Sequence, residues 1–349
     1  MKILSLSSFL NPTPPAGYGG TERFVHMLSN GLVEQGHLVT VLASKDSVGG
    51  LYETLQTNED TLLDTFITAF ESINPDVVHI NTKNRIVLEF LRTKDLPTVI
   101  TFYNNFRKTS SWVEIIKDAP SHFHFTTISN SLKERVLEAL KHNGVGLPNT
   151  SIQVTGYGMD VASYQDKSID KPRDKYIYIG VIARYKGVLD VVKAFANLED
   201  NLLIVGPCNN SVEKAYFDEV MIYTNKSNIS YFGETTDEQE KFELLSQSKA
   251  LIIATGYDPK ESDCHEAFGL VMLEANSVGT PVIGYAQGNI KDYIVEGVNG
   301  YKFRSLEELP KLLEKIEVTD LSADSKEYAK QYDISLVVKN YEKFFASII

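Results

Sequence analysis

Residues 264–283 read CHEAFGLVMLEANSVGTPVI, and the fold turns on how that stretch divides. Gly269 is followed by LVMLEANSV and then by Gly279, Thr280 and Pro281, the pattern of a short helix closed by a C-terminal glycine with a proline just beyond. A helix beginning near Gly269 leaves the amides of about Phe268 to Leu270 without partners inside the helix. They stand at the positive end of its dipole, a ready seat for phosphate oxygens. Glu266 precedes that terminus and Glu274 lies within the helix, so the two carboxylates need not share a task. Two readings stay open on the residues alone. In one, Glu266 caps the helix and Glu274 is a polar position on a buried element. In the other, Glu274, set among Met272, Leu273 and Ala275, finds its hydrogen bonds in the vicinal hydroxyls of a ribose.

Outward from this stretch the chain alternates short apolar strands with amphipathic helices. KILSLS, a Pro/Gly-rich loop NPTPPAGYGG, the helix TERFVHMLSNGLVEQG and the strand HLVTVLA form a βαβ unit. DVVHIN, PTVITFY and HFTTIS continue the strands, with helices around IVLEFLRT and WVEIIKDA and another, NSLKERVLEALKHNG, capped by Ser129 or Asn130. The alternation pauses at the charged, turn-rich MDVASYQDKSIDKPRDK, residues 159–175, which reads as a linker. It resumes with YIYIGVIA, VLDVVKAFANL, NLLIVG, a segment around VEKAYFDEVMIYTN, ISYFG, TDEQEKFELLSQS, ALIIAT, the opening stretch, PVIGYA and GYKF. The expected class is α/β, with two doubly wound parallel-sheet domains in succession, and chemistry is expected in the loops that leave the strands.

The chain's 349 residues suit two domains, and 43% apolar with 23% charged residues is the composition of a globular protein. The first residues lack the h-region of a signal peptide and no run reaches membrane-spanning length, so a cytoplasmic protein, or one peripheral to a membrane, is expected. A net charge of −12 argues against a general nucleic-acid binder. Residues 1–160 carry 13 Lys+Arg against 16 Asp+Glu, so the acidity lies mostly in the remainder. Cys208 and Cys264 lie far apart, which argues against a disulfide framework, and the Cys264–His265 pair has only Asp263 and Glu266 near it as further ligands, so no metal site is expected.

The E-x7-E element EAFGLVMLEANSVGTPVI closely resembles the retaining glycosyltransferases of family 4, the group 1 glycosyl transferases of GT-B fold. PPAGYGGTERFVHMLSNGLVEQGHLVTVLA resembles their N-terminal glycine loop and first helix, GVIARYKG their strand-loop with phosphate-binding cations, and NIKDYIVEGVNGYKF the segment after the second glutamate. The resemblance implies two Rossmann-like domains facing a central cleft. Residues 1–160 form the acceptor-side domain, joined by a C-terminal helix at about 334–349, and residues 161–333 bind the nucleotide sugar. It implies sugar transfer from a nucleoside diphosphate sugar, UDP first, by a front-face mechanism with no obligatory metal or cofactor. A nucleotide-sugar epimerase or phosphorylase of similar architecture, or a catalytically silent homologue, are the alternatives.

Residue by residue, the resemblance assigns Glu266 to the donor sugar, Glu274 to the ribose, and the amides of Phe268, Gly269 and Leu270 to the diphosphate and sugar. Gly19 and Gly20 would let the N-terminal backbone approach the diphosphate, and Gly206, Phe232 and Gly233 would neighbour the base. Lys186 would stabilise the leaving diphosphate. The arginine usual after the glycine equivalent to Gly180 is Val181 here, so Arg184 is the candidate second cation. Tyr103 or Asn104 stands where many members carry a cleft histidine, and neither titrates near neutrality, so neither is a natural general base; the front-face mechanism that the resemblance implies has the departing phosphate oxygen take the acceptor proton. Tyr157 replaces a common asparagine and Asp292 a common glutamate, while His79, ending DVVHIN, suits a structural role better than a catalytic one. Lys83, Arg85, Arg107 and Lys108 follow two neighbouring strands and point to an anionic acceptor, a phosphorylated glycolipid or sugar, with a modified nucleic-acid base as the lesser alternative.

Overall fold

The structure, a computed structural model, describes residues 1–17, 19–104, 106–146, 152–165, 172–208 and 213–349. Tyr18 of the glycine loop, Asn105, residues 147–151, residues 166–171 of the charged linker and residues 209–212 fall outside the described residues. The chain divides into two compact units, one of Met1–Asp160 with Tyr332–Ile349 and one of Val161–Gln331.

The first unit is built on seven strands: β1 (Lys2–Leu6), β2 (Leu38–Ser44), β3 (Glu53–Thr57), β4 (Val77–Ile80), β5 (Thr98–Phe102), β6 (Phe123–Thr127) and β7 (Ile152–Val154). They pair in parallel in the order β3-β2-β1-β4-β5-β6-β7. The second unit has β8 (Lys175–Ile179), β9 (Leu202–Val205), β10 (Ile229–Gly233), β11 (Ser248–Ile253), β12 (Val282–Tyr285) and β13 (Gly300–Phe303), parallel in the order β10-β9-β8-β11-β12-β13. Central strands such as VVHI and LLIV are buried at every position because helices cover both faces, which is why they read as continuous apolar runs.

In each unit the strand order reverses beside the first strand, between β1 and β4 and again between β8 and β11. Loops leaving those strands diverge to opposite faces of the sheet, and the crevice between them is where such folds bind ligands.

Two packing details set up the sites. The last helix, Ile334–Ile348, starts at Asp333, whose carboxylate accepts from the Ser335 amide at 3.0 Å. It buries Val337, Val338, Tyr341 and Phe345 in the first unit, with Phe345 and Tyr341 against the ring of His79. The helix Leu270–Ser277 packs against the helices Val161–Gln165, Glu238–Ser246 and Ser322–Ala329 of the second unit, which buries Met272 through Ser277. Among the described residues no helix is long and apolar enough to cross a membrane.

Candidate functional site

The switch point of the second unit lies between the loops that follow β8 and β11. Two glycines let these loops touch. Gly187 has φ +69°, and a β-carbon there would lie 2.4 Å from the Ala254 carbonyl oxygen. The Gly256 amide donates to the Tyr185 carbonyl at 2.8 Å. The backbone of the first loop is thereby laid on the end of β11, and Lys186, closing a short 3-10 turn Arg184–Lys186, is aimed at the second.

There its ammonium donates to Glu266 Oε2 at 2.7 Å, and the same oxygen accepts from the Thr255 hydroxyl at 2.9 Å. Both side chains are mostly withdrawn from water, at 21% and 16% exposure. Burial by itself would raise the Glu266 carboxyl, but the charge and hydrogen bond of Lys186 and the bond from Thr255 outweigh it and hold the group below its ordinary value. Glu266 is thus an ionised, oriented carboxylate and does not act as a helix cap, because the cap position is Gly269 and takes no side-chain bond.

Gly269 stands at φ +84°, where a β-carbon would meet Met272 Cε at 2.5 Å and Glu266 Cγ at 2.9 Å. Only glycine turns the chain this tightly from Glu266 into the helix. The segment is braced from behind by Asn289, whose side chain donates to the Phe268 carbonyl at 2.7 Å and whose amide donates to the Glu266 carbonyl at 3.1 Å. The helix N-terminus at Leu270 therefore has no side-chain cap of its own and is held rigidly beside Glu266 and Lys186, the preorganised setting an anion needs. One helical turn further on, Glu274 is 4% exposed and pairs through Oε1 with Lys241 at 2.6 Å.

Gly206 and Gly233 meet at the ends of β9 and β10, with the Gly206 amide donating to the Gly233 carbonyl at 2.8 Å. A β-carbon on Gly206 would lie 1.9 Å from the Gly180 carbonyl oxygen, so three strand ends converge there. Phe232, at 43% exposure, offers a face beside them. Arg184 is engaged with Asp258 at 3.3 Å and lies over the Tyr216 ring, 5.0 Å from its centroid.

In the first unit Gly19 and Gly20 open the helix Gly20–Glu34, which has no side-chain cap. Glu22, in its first turn, is buried with Oε1 lacking a hydrogen-bond partner. Gly20 is fixed by Tyr157, whose hydroxyl donates to its carbonyl at 2.6 Å and whose ring stacks on Phe24 at 4.5 Å. Tyr103 is buried, packs edge-on to Phe24 and donates to Asn81 Oδ1, while Asn104 is exposed. Burial raises the Tyr103 phenol well above its usual value, so it shapes the site and moves no proton near neutrality. His79 bonds Thr101 at 2.8 Å, and burial lowers it to about 3. Lys83, Arg85, Arg107 and Lys108 are exposed; β4 and β5 are sheet neighbours, and the Lys83 ammonium donates to Ser111 beyond β5.

Thr255, Asp258, Asn289 and Lys241 were not singled out by the sequence. Thr255 ends ALIIAT and so satisfies the strand-end rule; the other three have no local signal, since their partners are distant in the chain. Cys264 donates its thiol to Glu261 at 3.3 Å and His265 faces Gln287 at 3.3 Å.

Comparison with known proteins gives this geometry a family. Residues 162–332 match the model of glycosyl transferases group 1, and residues 18–160 that of glycosyltransferase family 4. A glycogen synthase of Mycobacterium tuberculosis is 24% identical over 82% of this chain and 79% of its own. A solved glycosyltransferase from Rickettsia africae superposes with a TM-score of 0.79 at 16% identity, covering 99% of this chain and 98% of that one. An Anabaena protein, HepE, solved in complex with UDP and glucose, gives 0.75 at 16% identity, over 99% and 100%. These likenesses carry the GT-B fold, and the two matched models take in nearly the whole sequence: the chain belongs to the group 1 glycosyl transferases of family 4 and is a glycosyltransferase.

Proposed function

We propose that this enzyme transfers a hexosyl unit from a nucleoside diphosphate sugar, with UDP as the nucleotide, to the hydroxyl of an anionic acceptor, with retention at the anomeric carbon. The observation that carries the reading is the Lys186–Glu266–Thr255 constellation beside the uncapped terminus at Leu270, where the strand order reverses. A cation and a helix N-terminus without a side-chain cap suit a diphosphate, and an ionised carboxylate beside them suits a sugar hydroxyl. UDP is favoured because the Anabaena neighbour was solved with UDP and with UDP-glucose.

In this reading residues 161–333 hold the donor, and residues 1–160 with the C-terminal helix hold the acceptor. The diphosphate lies on the amides of Phe268, Gly269 and Leu270 and against Lys186, with Arg184 contributing after exchange from Asp258. Gly206, Phe232 and Gly233 flank the base, and Glu274 takes the ribose. The bond from the anomeric carbon to the diphosphate oxygen breaks as Lys186 stabilises the charge that develops there. The acceptor oxygen bonds to the same face of that carbon, and its proton passes to the departing phosphate oxygen. Positioning and electrostatics do the catalytic work, in keeping with a buried, protonated Tyr103 where a base would otherwise stand. Lys83, Arg85, Arg107 and Lys108 receive the acceptor's negative charge, in the cytoplasm or at a membrane face.

A thermal-shift panel of UDP-, ADP- and GDP-glucose tests the donor, since a ligand that binds the folded state raises its transition temperature. Proton NMR of the slow hydrolysis of UDP-glucose then tests the stereochemistry. The expected results are the largest shift with the UDP sugar and α-glucose as the first product. No shift with any donor, or β-glucose formed first, would overturn the reading.

A further inference from the structure

The ion pair between Lys241 and Glu274 lies outside the motif that points to a donor site. Lys241 is carried on the helix Glu238–Ser246, whose first turn is pinned by Asp237: one of its oxygens accepts from the amides of Gln239 and Glu240, at 2.8 and 3.4 Å. This sets Lys241 one turn beyond the loop that leaves β10 after Phe232 and Gly233. From there the ammonium reaches Glu274 Oε1 at 2.6 Å, passing 5.4 Å from the centroid of Phe242, a ring clamped edge-on by Tyr164. The two side chains retain 18% and 5% exposure, so their attraction is only weakly screened by water and salt. The second Glu274 oxygen, Oε2, has no hydrogen bond among the described residues and is not sealed from solvent. One oxygen is therefore fixed by the protein, and the other is left to accept from a ligand.

We propose that Lys241 is a positioning residue of the donor site, which anchors one oxygen of Glu274 and leaves the other turned to the vicinal diol of a ribose, so that the enzyme selects ribonucleoside over deoxyribonucleoside diphosphates. The inference rests on the assignment of Glu274 to the ribose made above. A hydroxyl that donates to a carboxylate forms one of the stronger hydrogen bonds, and a nucleotide lacking it leaves that oxygen unpaired in a mostly dry place. Discrimination by a missing hydroxyl is accordingly large at sites built to bind one. Without Lys241, Oε1 would lose the hydrogen bond that fixes it, and the carboxylate could turn away from a bound ribose.

The test measures, by isothermal titration, the affinity of UDP against 2′-deoxy-UDP and 3′-deoxy-UDP, with ADP and its deoxy counterparts in parallel, for the wild-type chain and for Lys241→Met, Lys241→Arg and Glu274→Gln. The wild type should prefer the ribonucleotide by about tenfold or more, the range of a hydrogen bond to a charged group. Lys241→Met and Glu274→Gln should both bring the ratio within about threefold of unity, and Lys241→Arg should keep it. A purely structural lysine would lower the thermal transition in Lys241→Met and leave the ratio untouched, which overturns the proposal while the Glu274 assignment stands. A ratio unchanged in Glu274→Gln, or no binding of either nucleotide to the wild type, overturns the donor-site reading itself and the proposal with it. Should Lys241→Met fail to fold, Lys241→Gln supplies the same comparison without the charge.

Discussion

The two units share one strand order over six strands, yet the ends of their strands are chemically opposite. In the second unit the loops around β8 and β11 and the two helices that flank them gather charge in pairs: Lys186 with Glu266, Lys241 with Glu274, and Arg184 with Asp258. In the first unit the strands around the switch point are linked by a buried neutral network. Asn81 donates to Ser5 at 3.0 Å, Tyr103 donates to Asn81, and Thr101 joins His79, Thr126 and Tyr341 at 2.8, 2.6 and 3.2 Å. Its cations stand outside that network, exposed on the loops after β4 and β5 and, for Arg85, at the start of the helix Arg85–Arg92. One architecture thus carries two kinds of strand end. Charges held in place and partly dried are what a diphosphate requires, whereas a satisfied neutral network makes a rigid floor that stores no charge.

The contrast is broken most severely at Lys186. Lys186→Met should reduce donor turnover by about 10²–10³-fold, the usual effect of removing one preorganised donor from a developing charge, read as UDP released from UDP-glucose. The same variant changes the sign of a pH effect. In the wild type the Glu266 carboxyl lies below its ordinary 4.5, so its contribution to stability is complete above that value and is lost as pH falls through the lower folded value. Without Lys186, burial dominates and the folded value moves above 4.5, so that stability instead declines as pH rises through this range. Thermal transitions of the two proteins across the acid range should therefore diverge as pH increases.

Next in size is Gly187→Ala, which places a β-carbon 2.4 Å from the Ala254 carbonyl oxygen at φ +69°. A loss of about 2–3 kcal/mol in denaturant titration is expected, with weaker donor binding, because the loop that aims Lys186 must move. Tyr103→Phe tests the opposite unit. It leaves Asn81 Oδ1 without its buried donor and should lower stability by about 1–2 kcal/mol while UDP affinity stays unchanged. The smallest effect is expected from Lys83→Glu with Arg107→Glu: hydrolysis of UDP-glucose unaltered, but apparent affinity for an anionic acceptor reduced several-fold and its salt dependence flattened.

The strands buried on both faces, and the helix opened by Gly269, are legible in the sequence because their periodicity and punctuation are local. The edge strand β3 is not. ETLQT has no apolar run, since one side of an edge strand meets water, and IQV of β7 is too short to signal itself. The helix Leu62–Ile73 that follows β3 buries only Leu62, Phe66 and Ala69, a sparse stripe that stands out little without the strand before it. The glutamates and Lys186 could be named from motifs, but not what they bond. Lys186 and Glu266 are brought together by parallel pairing of β8 with β11, and Lys241 and Glu274 by the packing of two helices, neither of which leaves a mark at either residue. Arg184 shows the same limit, its partner Asp258 being set by the loop after β11.

The central claim is that the nucleotide diphosphate is bound by the charged strand ends of the second unit. Isothermal titration of UDP into the wild type, Lys186→Met and the Lys83→Glu/Arg107→Glu double variant tests it directly. The account predicts about tenfold or greater weakening in Lys186→Met and wild-type affinity in the double variant. Equal binding by the wild type and Lys186→Met, with the loss falling on the double variant, would contradict it.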